Sequence, residues 1–429
     1  MNSLYKIVLC CAIIVSSCTT PPKKITDTND YNIYLELAQN KALQAAKNDN
    51  EFWKQKLETT PNQFPYLGKL ATSYSNLFEI TGKISYLKQA ENYLVQVNKA
   101  TEQKDAGYLR ALASNYISQH RFKEALQQLT KAELIGENLE ATQKMLFDAH
   151  LELGNYKLAQ GYLEMFKDFS DFDYLIRLSK WSDHKGNLDA AIKYMEKAKS
   201  IAESSNLNGI KQWSYTNLAD FYGHAGKIEA SYTHYLKALE LNPNDAYAKK
   251  GIAWIVYSYE NNPDEALRIL NTVTTTFFAP DYYLLKAEIA EYKQDVALKS
   301  EQLKLYKEAV KDTSYGDMYN KYNVLLYACE KENRDEAIMI AKTEVDNRPT
   351  PQSYDLLAWA EFKNGNLNGA LNIVENHIAD KTFEPETLYH IAEIYKAFGK
   401  YEKVKPLKEE LLGSLYELGP TMKEKIEQL

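Results

Sequence analysis

The sequence predicts an all-α fold, a right-handed superhelical α-solenoid of about ten helix-turn-helix repeats. Three observations predict it. Apolar residues fall at i, i+3, i+4 and i+7 in window after window, which is one face of a helix. The same arrangement of large and small residues returns about every 34 residues along nearly the whole chain. No shift in composition divides the 429 residues into separate globular domains.

In chain order, residues 1–17 come first. Lys6 gives a short positive start, and Ile7 to Val15 form an apolar run of nine residues. That run is too short to span a bilayer and fits a signal-peptide core. It ends in Val15-Ser16-Ser17-Cys18, which resembles a bacterial lipobox. The resemblance implies cleavage before Cys18 and acylation of that cysteine. An ordinary secretory signal cut after Ser17, or an apolar anchor left uncut, is the alternative. Residues 18–29 read as a polar, proline-containing, lipid-anchored tether. Residues 30–63 are expected to form a capping helical pair.

The repeat array is expected over 64–415. Its clearest copy is "NLADFYGHAGKIEASYTHYLKALELNP", residues 217–243. Tyr215, Leu218, Ala219 and Tyr222 share one helix face. Gly226 marks a turn. Ser231, Tyr235 and Ala238 follow on a second helix, which stops at Asn242-Pro243 because proline cannot continue it. Related copies include Leu109-Leu112-Ala113-Tyr116 with Ala125, Leu129 and Ala132, and Leu388-Ile391-Ala392-Tyr395 with Gly399. Copies begin near 106, 140, 172, 212, 246, 280, 318, 351 and 385, with spacings between 32 and 40 residues. A further copy, Leu67-Leu70-Ala71-Tyr74, has a longer turn before Ala90. The segments 204–211 and 310–317 read as long loops. Residues 416–429 read as a C-terminal capping helix or tail.

The spacing of these residues resembles the tetratricopeptide repeat family, whose pattern of a large-small pair, a tyrosine, an alanine and a closing proline matches at 215–243. The resemblance implies a superhelix with a concave face that binds an extended peptide or partner protein. It implies a scaffold or adaptor rather than an enzyme. Glycan-binding outer-membrane lipoproteins built on the same frame are the alternative.

Composition narrows the partners. Loss of Lys6 with the signal takes the formal charge from −7 to about −8, which disfavours nucleic acid. Of four cysteines only Cys329 remains past the lipidation site, so an exported chain must hold itself with a hydrophobic core. The expected location is a bacterial cell envelope, on the periplasmic or surface face of a membrane. No phosphate loop, H-E-x-x-H, C-x-x-C or G-x-S-x-G motif is present, so nothing implies a cofactor or a catalytic residue. His120 and His150 fall at turn or core-edge positions.

The candidate binding surface follows from helix geometry. About 120° round from the core face lie Trp213, Thr216, Asp220 and His224. The next copy puts Tyr247, Lys250, Trp254 and Tyr257 there, and the copy before puts Ile176, Lys180, Asp183 and His184. Later copies offer Tyr319, Tyr322, Trp359, Phe362 and Tyr389. Aromatic rings beside charges suit a recognition surface. Asp183, His184, Asp220 and His224 are the candidates for a metal site, should they converge.

Overall fold

The computed structural model describes residues 24–36 and 40–429. The expected signal peptide, Cys18 and the start of the tether lie outside the described residues. Among the described residues every regular element is helical. Helix α1 is Thr28–Leu35 and α2 is Lys41–Thr59. Ten helical hairpins follow. They are α3/α4 (Phe64–Thr81, Ile84–Ala100), α5/α6 (Ala106–Ser118, Phe122–Ile135), α7/α8 (Leu139–Glu152, Tyr156–Met165), α9/α10 (Phe172–His184, Leu188–Ser205) and α11/α12 (Asn208–His224, Ile228–Leu241). Then come α13/α14 (Ala246–Trp254, Pro263–Val273), α15/α16 (Asp281–Tyr292, Val296–Ala309), α17/α18 (Asn320–Cys329, Arg334–Asn347), α19/α20 (Pro351–Lys363, Leu367–Ile373) and α21/α22 (Pro385–Ala397, Tyr401–Gly413). Two short helices, α23 (Leu415–Leu418) and α24 (Lys423–Glu427), end the chain. This is an α-solenoid of stacked helical hairpins.

Local chemistry sets each hairpin. Asp105, Asp171, Asp245 and Asp295 cap first or second helices, each carboxylate accepting an N–H three residues on. At the turn, Gly226 takes φ 69° and the Lys227 N–H donates to the Tyr222 carbonyl at 2.8 Å. That bond satisfies a carbonyl which the helix end leaves open. The same bond recurs at Asn155–His150, Asn187–Ser182 and Lys400–Tyr395. Where glycine is missing, His120 and Gln294 adopt the positive φ themselves, both at 59°.

Small residues mark close approach. Ala219, Ser231 and Ala238 are fully buried. Between units the fit is tighter still. A Cβ on Gly251 would sit 2.2 Å from the Tyr235 ring of the preceding hairpin. Packing a large ring onto a residue without a side chain is how neighbouring units interlock.

Several expectations change. In the first hairpin the turn is short, Gly82-Lys83, and it is α3 that is long, at 18 residues. The loop expected at 204–211 is a two-residue link, because α10 runs to Ser205 and Asn206 turns the chain at φ 55°. The segment 310–317 is irregular, with one 3-10 turn at Thr313–Tyr315.

The two ends differ most. Residues 24–29, expected to belong to a free tether, are held. The Ile25 and Thr26 N–H groups donate to Glu260 Oε1 at 2.7 and 2.6 Å, and Thr26 Oγ1 donates to Oε2 at 2.9 Å. Helix α1 packs on α12 and α14, with Tyr31 fully buried among Tyr232, Ile228 and Ile269. So α1 and α2 do not form the expected capping pair, and only α2 caps α3. The reason is Tyr31, a large ring whose hydroxyl donates to Glu265 at 2.7 Å.

The superhelix also closes on itself. The Phe278 N–H donates to the Thr81 carbonyl, Arg348 pairs with Glu152, and Gly154 and Gly186 lie against Pro349 and Phe383. These pairs are 195 to 197 residues apart, about six repeats. One wall of the solenoid therefore touches the wall one turn further on. The long open concave face becomes a lumen with an open stretch at its N-terminal side.

Candidate functional site

The first helix of each hairpin lines the inside. On α5, α7 and α9 this inner face is uncovered and forms a cleft of about 590 Å³, lined by Arg110, Ser114, Glu140, Lys144, Met145 and Asp173. Its charges are committed. Lys144 pairs with Glu140 at 2.8 Å and Asp171 at 3.0 Å, and Arg110 donates to the Glu137 carbonyl and to Thr142. Beyond the cleft Trp213 is 41% exposed, edge-on to Phe172 at 6.2 Å. Tyr247 is 53% exposed, and its hydroxyl donates to Asp220 at 2.6 Å.

The predicted surface residues divide into three groups. Trp213, Asp220, Tyr247 and Lys250 stay together at the inner rim of α11 and α13, with Lys250 paired to Asp281 at 2.6 Å. Ile176 borders the hydrophobic cluster around Leu175 and Leu218. Thr216 and Tyr257 are corrections, because both are buried. Thr216 donates to the Trp213 carbonyl. Tyr257 lies in a π turn at Ile255–Tyr259 and is covered by its neighbours, with Trp254 at 5.7 Å, Tyr292 at 5.6 Å and its hydroxyl donating to Glu288 at 3.1 Å. Trp254 is covered by the chain's own C-terminal segment.

Lys180, Asp183, His184 and His224 line a second space, a lumen cavity of about 610 Å³. Its opposite wall comes from the far half of the chain: Lys321, Arg348, Asp355, Phe383 and Glu384. Lys180 Nζ reaches Glu152 Oε1 at 2.9 Å, and Arg348 reaches the other oxygen at 3.4 Å. Burial pushes the Glu152 carboxyl up, but these two cations outweigh it and hold it below the usual range. Burial pushes Asp183 up, and Glu384 adds to that. Burial pushes the His184 imidazole down, so the ring is neutral at pH 7 where it lies 4.3 Å from Tyr156. On the floor, His390 Nδ1 and Thr387 Oγ1 both lie within 3.1 Å of Asp355 Oδ2.

The four metal candidates do not converge. Asp220 is taken up by the hydroxyls of Tyr235 and Tyr247. No group of three or more His, Cys, Asp or Glu among the described residues is arranged to hold a metal ion. Of the later aromatics, Trp359 is buried and stacks on His390 at 4.0 Å, so it is core. Tyr319, Phe362 and Tyr389 are partly buried, and Tyr322 is 36% exposed. His150 is buried, with Nδ1 3.2 Å from Asn155 Nδ2, and His120 sits in a turn.

Sequence reasoning missed the far wall and the C-terminal segment. Nothing in a repeat motif states how many units make one turn of the superhelix, so residues six units apart carry no mutual signal. Only Gly419-Pro420, a break in helix propensity, marks the final segment as unusual.

The tetratricopeptide repeat family matches residues 173–205 and 214–245, which are α9/α10 and α11/α12. No curated protein matches the chain. Among solved structures, human IFIT1, determined as a dimer with PPP-AAAA, is 13% identical over 73% of this chain and 71% of its own, with a TM-score of 0.45. Yeast Tom70 is 14% identical over 94% of both chains, at 0.36. A tetratricopeptide repeat protein from Parabacteroides merdae is 17% identical over 60% of this chain and 96% of its own, at 0.34. No helix among the described residues is long and apolar enough to cross a membrane.

Proposed function

We propose that this chain, a tetratricopeptide repeat protein by its units at 173–205 and 214–245, is a non-catalytic scaffold that holds a peptide or protein partner against its inner face. The observation that carries this reading is the uncovered inner face of α5, α7 and α9, with exposed Trp213 and Tyr247 at its end. Rings that are exposed in the free protein, beside charges whose partners are already in place, can be buried by a ligand at little desolvation cost. Repeat arrays expose such faces because each unit packs only on its neighbours.

Acylation at Cys18 completes the proposal, placing the scaffold on a membrane of a bacterial cell envelope. Two or more acyl chains give lasting attachment where one does not. Six residues lie between Cys18 and Ile25, where the chain is pinned to Glu260, so seven Cα steps join the two. Their maximal reach is about 25 Å. The lipid would thus hold the array by its middle, near α12 and α14, and not by its first repeat.

Two measurements test this. Labelling with a palmitate analogue should mark the wild type and not Cys18→Ser, and an unlabelled wild type contradicts the anchor. Pull-down from detergent-solubilised membranes should retain a partner that Trp213→Ala loses. Retention of glycans on an array, with no protein partner, would favour the nutrient-binding alternative.

A further inference from the structure

The last residues of the chain do more than close the final hairpin. After α22 the chain leaves the array and enters the lumen. There the Tyr416 carbonyl accepts two hydrogen bonds from α13 and the π turn that continues it, from Trp254 Nε1 at 3.0 Å and from Ser258 Oγ at 2.7 Å. Both donors are array side chains reaching a main-chain atom. That mode of contact holds a segment with little regard to its side chains. The Tyr416 ring lies on Gly223, where a Cβ would come within 2.8 Å of it. Three residues later Gly419 is buried at φ 83° and ψ 159°, a backbone state that residues with a Cβ rarely adopt. A Cβ there would come within 2.6 Å of Glu288 Oε1 and 3.2 Å of Trp254. Both sides of the contact, array and tail, are thus shaped for each other at positions lacking side chains.

Residues 414–422 contribute nothing to the ion pairs described above. Glu417 faces His224 and Lys321 as well as the carboxyls of Glu384 and Asp183, and burial pushes its own carboxyl up. Leu415, Leu418 and Met422 pack on the core of the last hairpins, so a displaced segment stays tethered there.

We propose that the inner surface of α11 and α13 around Gly223, Trp254 and Ser258 is a peptide seat occupied in cis by residues 414–419. Its partner is a segment that presents a tyrosine-like ring three residues before a glycine and displaces the tail. This rests on the reading of the inner face as the binding face. It adds a second, covered surface to the open cleft on α5, α7 and α9, and states what a ligand there must look like.

The test uses the full chain and a fluorescein-labelled peptide of residues 412–422 as probe. Wild type should bind it weakly, because its seat is taken. Tyr416→Ala and Gly419→Val should each loosen the tail, seen as faster amide exchange over 414–422, and should bind the peptide more tightly. The gain is about tenfold for a seat that was nine-tenths occupied. Adding Trp254→Phe, which keeps a ring but removes the N–H donor, should abolish that gain. Tail amides that stay protected in both variants overturn the proposal. So does a released tail with no gain in peptide binding, which would make residues 414–422 a structural bracket only. Neither failure touches the open cleft, whose own test is partner retention at Trp213.

Discussion

At the scale of single residues, the account separates rings that hold the array from rings that face a partner. Tyr222 is 8% exposed and its hydroxyl donates to Glu196 at 2.5 Å. Tyr222→Ala should cost about 3–5 kcal/mol, and Ala219→Leu about 1–3 kcal/mol by overpacking. Trp213→Ala should leave the melting temperature nearly unchanged, since Trp213 already meets solvent. Thermal melts of the three variants check the contrast. Glu288 supplies a second test. Burial raises its carboxyl to about 7, against Tyr257, whose hydroxyl donates to it at 3.1 Å, and Lys425, which both pull it down. A carboxyl raised on folding keeps its proton in the native state while the unfolded chain loses one. Its contribution is therefore full at low pH and is lost as pH rises from about 4.5 to about 7. The imidazoles of His120, His150, His184 and His234 are pushed down and act in the opposite sense over part of that window. The difference between wild type and Glu288→Gln isolates the carboxyl. The variant should gain stability relative to wild type on going from pH 5 to pH 8, measured by melts at each pH.

At the scale of elements, the hairpins were legible and their exceptions were not. Tyr215, Leu218, Ala219 and Tyr222 announce α11 because a helix face must carry them together, and Asn242-Pro243 announces the end of α12. The π turn at Ile255–Tyr259 was invisible, since nothing in "IVYSY" distinguishes it from an α-helical turn, and so was the burial of Tyr257 within it. Helix α1 shows the same limit. Its eight residues look like a cap, yet Tyr31 carries them to α12 and α14, more than 200 residues away in sequence. Tyr31→Ala should release residues 24–36 and leave the hairpins folded. Limited proteolysis should then cut within that segment faster, about tenfold for each ~1.4 kcal/mol of docking lost, with far-UV circular dichroism unchanged. Equal cleavage of wild type and variant would mean that the segment is not held in solution.

At the scale of the whole molecule, the repeat period was readable and the superhelical closure was not. A period near 34 residues states that neighbours stack. It does not state the small rotation per unit that brings Arg348 onto Glu152 and Phe278 onto Thr81. Four residues of the predicted binding stripe, Lys180, Asp183, His184 and His224, thereby came to face the far wall across the lumen, while Trp213 and Tyr247 stayed open. The central claim is that partners engage the inner face. Its most direct test is site-specific photocrosslinking in intact cells, with a photoreactive residue placed at 213, at 247, and at two exposed positions on second helices, Leu134 and Met339, which are 84% and 62% accessible. Crosslinks to a common partner from 213 and 247, with none from 134 and 339, is the predicted result. Crosslinks confined to 134 or 339 would place the working surface on the outside of the array and contradict the account.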